Sequence, residues 1–459
     1  MSRASAVSRS GAWWALFMYM PKEMQEKQRN RKRPAITAAI AIAVTLAGWV
    51  PFAAAFAQVP DESYLSGAAS FISGNYGKAV ADYTLAISRN NAGEDLFIRR
   101  GACYLKLQDT ESAIRDFNEA NAISAGVADL WLAKAYSLSG NTSEAVTFLE
   151  SHLGSPFRIA GDIIKQDPDF DGLQTTNEWY NLWQKDWYGE EEKTIADVRY
   201  FLKKGQPDNA ISVLDDRIVS SPASADLLTL RGEVNYSTGN YAAAIADLTA
   251  ALNLRKNTSR NKYPPLEGAG GGYPPLEGAG GGLILRARSY LQAYRFKDAV
   301  TDLNRILRED PAVFPAYLLR AQANAGLKSY DAAIKDVVTY LKYFDNDLEA
   351  VYRCGEYHFL AEDYLNALKY FNRNLKEDPN NALYHKARGK TYLKSGTYRY
   401  AINDLSMSLD LNPDDAETWM YLGLAKIRTG DKVNGCSDLQ RARQMGNTEA
   451  LGLVIEECQ

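Results

Sequence analysis

The densest set of residues able to do chemistry is Asp167-Pro168-Asp169-Phe170-Asp171-Gly172, closed by Glu178. Carboxylates at alternate positions, a glycine for a sharp turn and an acidic residue in the twelfth place match the spacing of a calcium-binding loop. Two readings stand. In one, Asp167, Asp169, Asp171 and Glu178 gather calcium between flanking helices and the chain is a calcium-regulated binder. In the other, Asp-Pro stops a helix while Phe170, Leu173, Trp179, Trp183 and Trp187 pack an irregular hairpin onto its neighbours. Gln174, standing where such loops place an aliphatic residue, and the lack of a partner loop favour the second.

Other chemistry is sparse. The only histidines are His152, His358 and His385, with no His-Glu-x-x-His pair for zinc and no Gly-x-Ser-x-Gly nucleophile turn. Gly389-Lys390-Thr391 imitates the end of a phosphate-binding loop, but Tyr384 stands where the first glycine is needed. Cys103 and Cys354 fall in apolar helical patterns and read as core. Cys436 opens one helix, and Cys458 lies in a helix expected to run antiparallel beside it. In an oxidising compartment these two are a disulfide candidate, the alternative being two buried thiols. No catalytic residue, metal site or cofactor is assigned; the chain reads as non-enzymatic.

The elements behind these residues repeat. A small residue is followed twelve positions later by alanine: Gly67/Ala79, Gly101/Ala113, Ala133/Ala145, Gly232/Ala244, Ala287/Ala299, Ala321/Ala333, Gly355/Ala367 and Gly389/Ala401. Most successive units lie 34 residues apart. Two helices approach closely only where side chains are small, so the pair marks the crossing point of a helical hairpin. Gly74-Asn75, Gly239-Asn240 and Gly396-Thr397 supply the turn between the helices. Phe117, Leu248, Phe371 and Leu405 follow four after the alanine, on the same face of the second helix. Asp-Pro or Asn-Pro ends several units, at Pro311, Pro379 and Pro413.

This pattern resembles the tetratricopeptide repeat family, most clearly from Trp419 and Leu422 through Gly423 and Gly430, with Tyr104, Tyr136, Tyr290 and Tyr392 as its first-helix aromatics. The resemblance implies an all-α fold, a right-handed solenoid of stacked helix-turn-helix repeats. Ten units are expected: three in 60–159, two in 191–258 and five in 283–449. An irregular helical connector fills 160–190, and a capping helix fills 450–459. Val198 in the fourth unit and Gly435 in the tenth depart from the pattern. Five units carry an arginine before the small residue and an aspartate sixteen positions on: Arg100/Asp116, Arg231/Asp247, Arg286/Asp302, Arg320/Asp336 and Arg388/Asp404. Where Phe148 or Tyr370 replaces the aspartate, the arginine is missing too. An ion pair inside each hairpin is therefore expected.

Two segments stand outside the repeat. Residues 1–57 carry a basic cluster (Lys27, Arg29, Arg31, Lys32, Arg33), an apolar run from Ala35, and the exit Ala55-Phe56-Ala57. This is the pattern of a signal peptide cleaved after Ala57, the alternative being an uncleaved membrane anchor. Export to the periplasm or outer envelope, or secretion, is the expectation. Residues 263–282 duplicate Tyr-Pro-Pro-Leu-Glu-Gly-Ala-Gly-Gly-Gly in tandem, and 259–282 read as a flexible insertion.

What is left to act is surface. Net charge is −4, and losing residues 1–57, with eight Lys/Arg and two Asp/Glu, makes it −10. That balance gives no overall attraction to nucleic acid, and the membrane is met only through an uncleaved signal. By repeat register the first helices line a concave groove presenting Tyr64, Phe71, Tyr236, Tyr352 and Phe359, with Lys386, Lys390 and Lys394 as a basic stripe. The resemblance implies a protein or peptide partner in that groove. Lysines of this kind serve the family's chaperone-tail-binding subgroup, but Gln322 and Glu356 stand at the equivalent sites of adjacent units. A scaffold or adaptor of the cell envelope is the preferred reading; the alternative is a structural accessory subunit using its convex face.

Overall fold

The computed structural model describes residues 61–89, 93–220, 224–255 and 279–458. Residues 1–57, where a signal peptide is expected, and residues 259–278 of the insertion lie outside them. Among the described residues there is no strand.

Three hairpins come first: α1 (Glu62–Ile72) with α2 (Tyr76–Arg89), α3 (Glu94–Lys106) with α4 (Thr110–Ile123), and α5 (Asp129–Leu138) with α6 (Thr142–Gly154). The short helices α7 (Gly161–Gln166) and α8 (Asn177–Leu182) follow, with a tight 3₁₀ turn at Pro168–Leu173 between them. Units four to six pair α9 (Glu190–Lys203) with α10 (Pro207–Ser220), α11 (Ala225–Ser237) with α12 (Tyr241–Arg255), and α13 (Ala279–Gln292) with α14 (Phe296–Glu309). Units seven and eight pair α15 (Phe314–Gly326) with α16 (Tyr330–Leu341), and α17 (Leu348–Leu360) with α18 (Tyr364–Glu377). Units nine and ten pair α19 (Ala382–Lys394) with α20 (Tyr398–Leu411), and α21 (Ala416–Arg428) with α22 (Lys432–Gln444), before a final α23 (Thr448–Glu457). Hairpin partners pack on each other and successive units stack, with the 160–189 connector intervening between the third and fourth, which makes the array an α-solenoid.

The crossing point explains the glycines. A Cβ on Gly101 would lie 2.5 Å from Phe117, one on Gly355 2.6 Å from Phe371, and one on Gly67 2.8 Å from Tyr83. The first helix is thus hollowed to admit a large side chain sixteen residues on, and the helical alanine beside it is fully buried. Where the hollow is shallower, at Ala133, Ala287 and Ala321, the guest is smaller: Leu149, Leu303 and Val337, each buried. In unit ten the approach is tightest, with Gly423 and Gly435 meeting backbone to backbone.

The five arginines do form their pairs, each bidentate. Nε and Nη2 of Arg320 donate to Asp336 at 2.9 and 2.6 Å, and Arg100, Arg231, Arg286 and Arg388 repeat the geometry. A third bond was not anticipated. The remaining Nη1 reaches the second helix of the preceding unit, at Thr84, Asp215, Thr249, Asn304 and Asn372. Each guanidinium therefore ties two units together as well as two helices. Units one and ten keep the aspartate without the arginine, and lysine substitutes: Lys78 meets Asp82 at 2.7 Å and Lys426 meets Asp438 at 2.6 Å.

Two expectations need revision. The duplicated insertion does not end in a loop: its last residues, from Ala279, are the opening turn of α13, and Gly282 sits against Leu252 and Arg255. The spacing of four between Trp179, Trp183 and Trp187 suggests one helical face, but α8 ends at Leu182. Trp179 lies in that helix, while Trp187 folds back to donate its indole N–H to the Leu182 carbonyl at 2.7 Å. Both still pack, with Trp183, around Leu149, Leu153, Ile164, Phe170 and Leu173.

Candidate interaction surface

Burial exhausts most of the reactive groups. Cys103 and Cys354 are buried, which pushes their thiols up to about 12 and about 11. Burial pulls His152 down to about 4, and its Nε2 accepts the Ile159 N–H at 3.1 Å. Cys436 and Cys458 are joined in a disulfide that ties α22 to the end of α23.

The acidic loop does not converge on a point. Asp167 caps the 3₁₀ turn through the Asp169 N–H, and the ammonium of Lys134, only 5% exposed, pairs with Asp167 at 2.8 Å and Asp169 at 3.4 Å. Asp171 instead accepts from the Gln174 amide, and Glu178 sits exposed in the first turn of α8. Among the described residues no three metal-ligating side chains form a cluster able to hold an ion. Lys134 thus already pairs with two of the four carboxylates that the calcium-regulated reading requires.

The groove aromatics are held by a second repeating contact. Phe71, Tyr236 and Phe359 each lie against an aromatic five residues on, Tyr76, Tyr241 and Tyr364, with ring centres 5.4, 5.7 and 5.9 Å apart. All three are half-buried. Tyr352 is buried instead, wedged beside Phe371 and Tyr384 with its hydroxyl donating to Glu356 at 3.0 Å. Tyr64 is half-buried, and its hydroxyl donates to Asp310 at 3.0 Å, across 246 residues of sequence.

The lysine stripe divides. Lys386 donates to Asp415 at 2.9 Å and Glu417 at 3.2 Å, and Lys390 to Glu417 at 2.9 Å, so both bridge units nine and ten. Burial works against the charge of Lys386, but its bonds to the two carboxylates prevail and raise its pKa. Lys390 also lies 4.8 Å over the Tyr421 ring and 5.9 Å from that of Phe359. Lys394 is exposed. Spacing alone revealed the lysines but not Glu417 and Tyr421, which belong to the next unit and join them only through stacking.

Residues 196–260 and 284–342 match the tetratricopeptide repeat family. The chain is a tetratricopeptide-repeat protein. The match covers the fourth to seventh units, and the same hairpin geometry extends over the other six. Among curated relatives, the DnaJ protein P58IPK homolog A of Oryza sativa subsp. japonica is 24% identical over 172 residues, 33% of this chain and 36% of that protein. Hsc70-interacting protein 1 of Drosophila melanogaster is 32% identical over 91 residues, 20% of this chain and 24% of that one. The chain thus spans about a third or less of the length of these relatives. Among solved structures, a tetratricopeptide repeat protein from Parabacteroides merdae is similar at 21% identity and a TM-score of 0.44, over 58% of this chain and 98% of that one. Tetratricopeptide-repeat proteins generally mediate protein–protein interactions.

Proposed function

We propose that this tetratricopeptide-repeat protein is a non-enzymatic scaffold of the cell envelope, binding an extended protein or peptide segment against the inner faces of units eight to ten. The observation that carries the reading is the juxtaposition of half-buried Phe359, Lys390 and Tyr421 across three successive units, with exposed Lys394 at its edge. Open aromatic faces beside a cation anchor a partner well, because they supply apolar area and directional polarity together. Export is supported by the basic-then-apolar pattern of residues 27–57 and by the Cys436–Cys458 disulfide, a bond that persists in oxidising compartments.

A second reading, an accessory subunit using its convex face, is favoured by Leu365 and Val433, which are 81% and 82% exposed at the start of second helices. Photo-reactive side chains separate the two. Placed at Lys394 or Phe359 they should capture one protein partner in the native cell, while Leu365 and Val433 capture none. Capture from the convex positions alone would overturn the groove reading.

A further inference from the structure

The face of α1 turned away from α2 is apolar. Leu65, Ala68 and Ala69 lie there, only 7%, 4% and 5% exposed. Their cover comes from one superhelical turn later: Ala312 and Phe314 at the start of unit seven, with Tyr340, Tyr343 and Phe344 at its end. A polar seam runs beside this patch. Tyr64 donates to Asp310, and Arg99 reaches the same carboxylate at 3.4 Å while holding Asp95 at 2.8 Å. The Arg99 guanidinium lies 5.2 Å over the Tyr64 ring, and Lys342 pairs with Glu62 at 2.6 Å. Asp310 belongs to the Asp-Pro that stops unit six. Its counterpart Asp378 accepts a local bond from Asn381 at 2.9 Å, whereas Asp310 joins the two ends of the turn.

This seam differs in kind from the contacts between successive units. Those bury whole helix faces between segments tethered by short linkers, so reclosing is immediate. The seam joins segments about 250 residues apart, whose reunion must restore a long loop. It consists of one apolar patch and a few charge-assisted bonds, and Glu62 and Lys342 are 71% and 56% exposed, open to salt screening. Contacts of this kind open locally before the array does. We propose that unit one is a latch: it docks on the corner between units six and seven to close the first superhelical turn, and it releases as a body while the remaining units stay folded. Release bares two complementary apolar surfaces, Leu65 with Ala69 on one side and Phe314 with Phe344 on the other, which the closed state withholds from partners. The inference stands apart from the groove reading, since none of its residues belongs to units eight to ten.

Hydrogen exchange by mass spectrometry on the full chain, paired with small-angle scattering, tests it. Asp310→Asn, or 1 M sodium chloride on the native protein, should accelerate exchange in α1 and α2 by roughly tenfold or more. The radius of gyration should rise, and protection in α5, α6 and α19 to α22 should not change. Glu62→Lys and Lys342→Glu, both at exposed positions, should each shift α1 the same way, and the two combined should restore it. Unchanged α1 exchange in Asp310→Asn overturns the latch. So does loss of protection throughout the array, or a charge-swapped pair that stays as open as its single variants.

Discussion

Gly355→Ala offers a sharp probe of how these hairpins close. The added methyl would lie 2.6 Å from Phe371 Cε1, 2.9 Å from Cδ1 and 3.0 Å from Cζ, all inside van der Waals contact. The ring is 1% exposed, so it cannot swing into solvent. Alanine gains up to about 1 kcal/mol of helix propensity over glycine, but overpacking of this kind costs about 1–3 kcal/mol. A net loss of about 1–2 kcal/mol is expected. Phe371→Leu alone empties part of the hollow and costs about 1–2 kcal/mol through the void it leaves. Together the two changes rebuild the Ala/Leu pairing native to Ala133/Leu149 and Ala287/Leu303. The double variant should therefore return close to the parent, a coupling of about 2–4 kcal/mol. A repeat array does not melt in two states, so the readout is the opening free energy of α17 and α18 amides by hydrogen exchange, checked against urea midpoints. A Gly355→Ala protein as stable as the parent, or a double variant as weak as the sum of its parts, would refute this account of the crossing.

Arg320→Leu should cost about 3–5 kcal/mol locally, because Asp336, 4% exposed, is left charged without its guanidinium. Arg320→Leu with Asp336→Phe copies Leu132/Phe148 of unit three and should recover most of that loss in a double-mutant cycle. For His152 the folded imidazole titrates at about 4 against an ordinary 6.5. Between those values the unfolded chain takes up a proton that the folded one refuses, so stability present at neutral pH is lost as pH falls through the window. Linkage puts the loss at about 2 kcal/mol by pH 5, and His152→Gln, which can still accept the Ile159 N–H, should flatten the melting-temperature profile between pH 7 and 5. Cys458→Ser should release α23, with amide exchange rising in Thr448–Glu457 and little change before α21, since closing a loop of 22 residues contributes about 3 kcal/mol by chain entropy.

Local regularities carried most of the fold. Small-residue spacing marked eight of the ten hairpins; Gly435 replaces the alanine in the tenth, and in the fourth Val198 takes the small residue's place and still packs, buried, with Ala210 and Leu214. The Arg/Asp spacing located five bonds correctly because both partners share one hairpin. Turns marked by Gly74, Gly239 and Gly396 do adopt positive φ, yet Gln108, Tyr294, Lys328 and Glu362 take the same conformation with φ near 60° and no glycine to announce them. There the packing of two helices imposes the backbone, and propensity gives no sign of it. Inter-unit features were harder to see. Glu417 joins Lys386 and Lys390 only after stacking, and Asp310 looked like an ordinary helix stop until the superhelix brought Tyr64 and Arg99 to it. The tryptophans misled in one respect: their spacing of four suits a helix, but α8 is too short to hold all three.

The inner face of units eight to ten is the part of this account most open to direct contradiction. Once a partner has been captured, hydrogen-exchange footprinting of the purified complex should show added protection concentrated in α17, α19 and α21, around Phe359, Lys390 and Tyr421. Protection confined to α18, α20 and α22, with those three helices unchanged, would place the partner on the convex side and end the groove proposal.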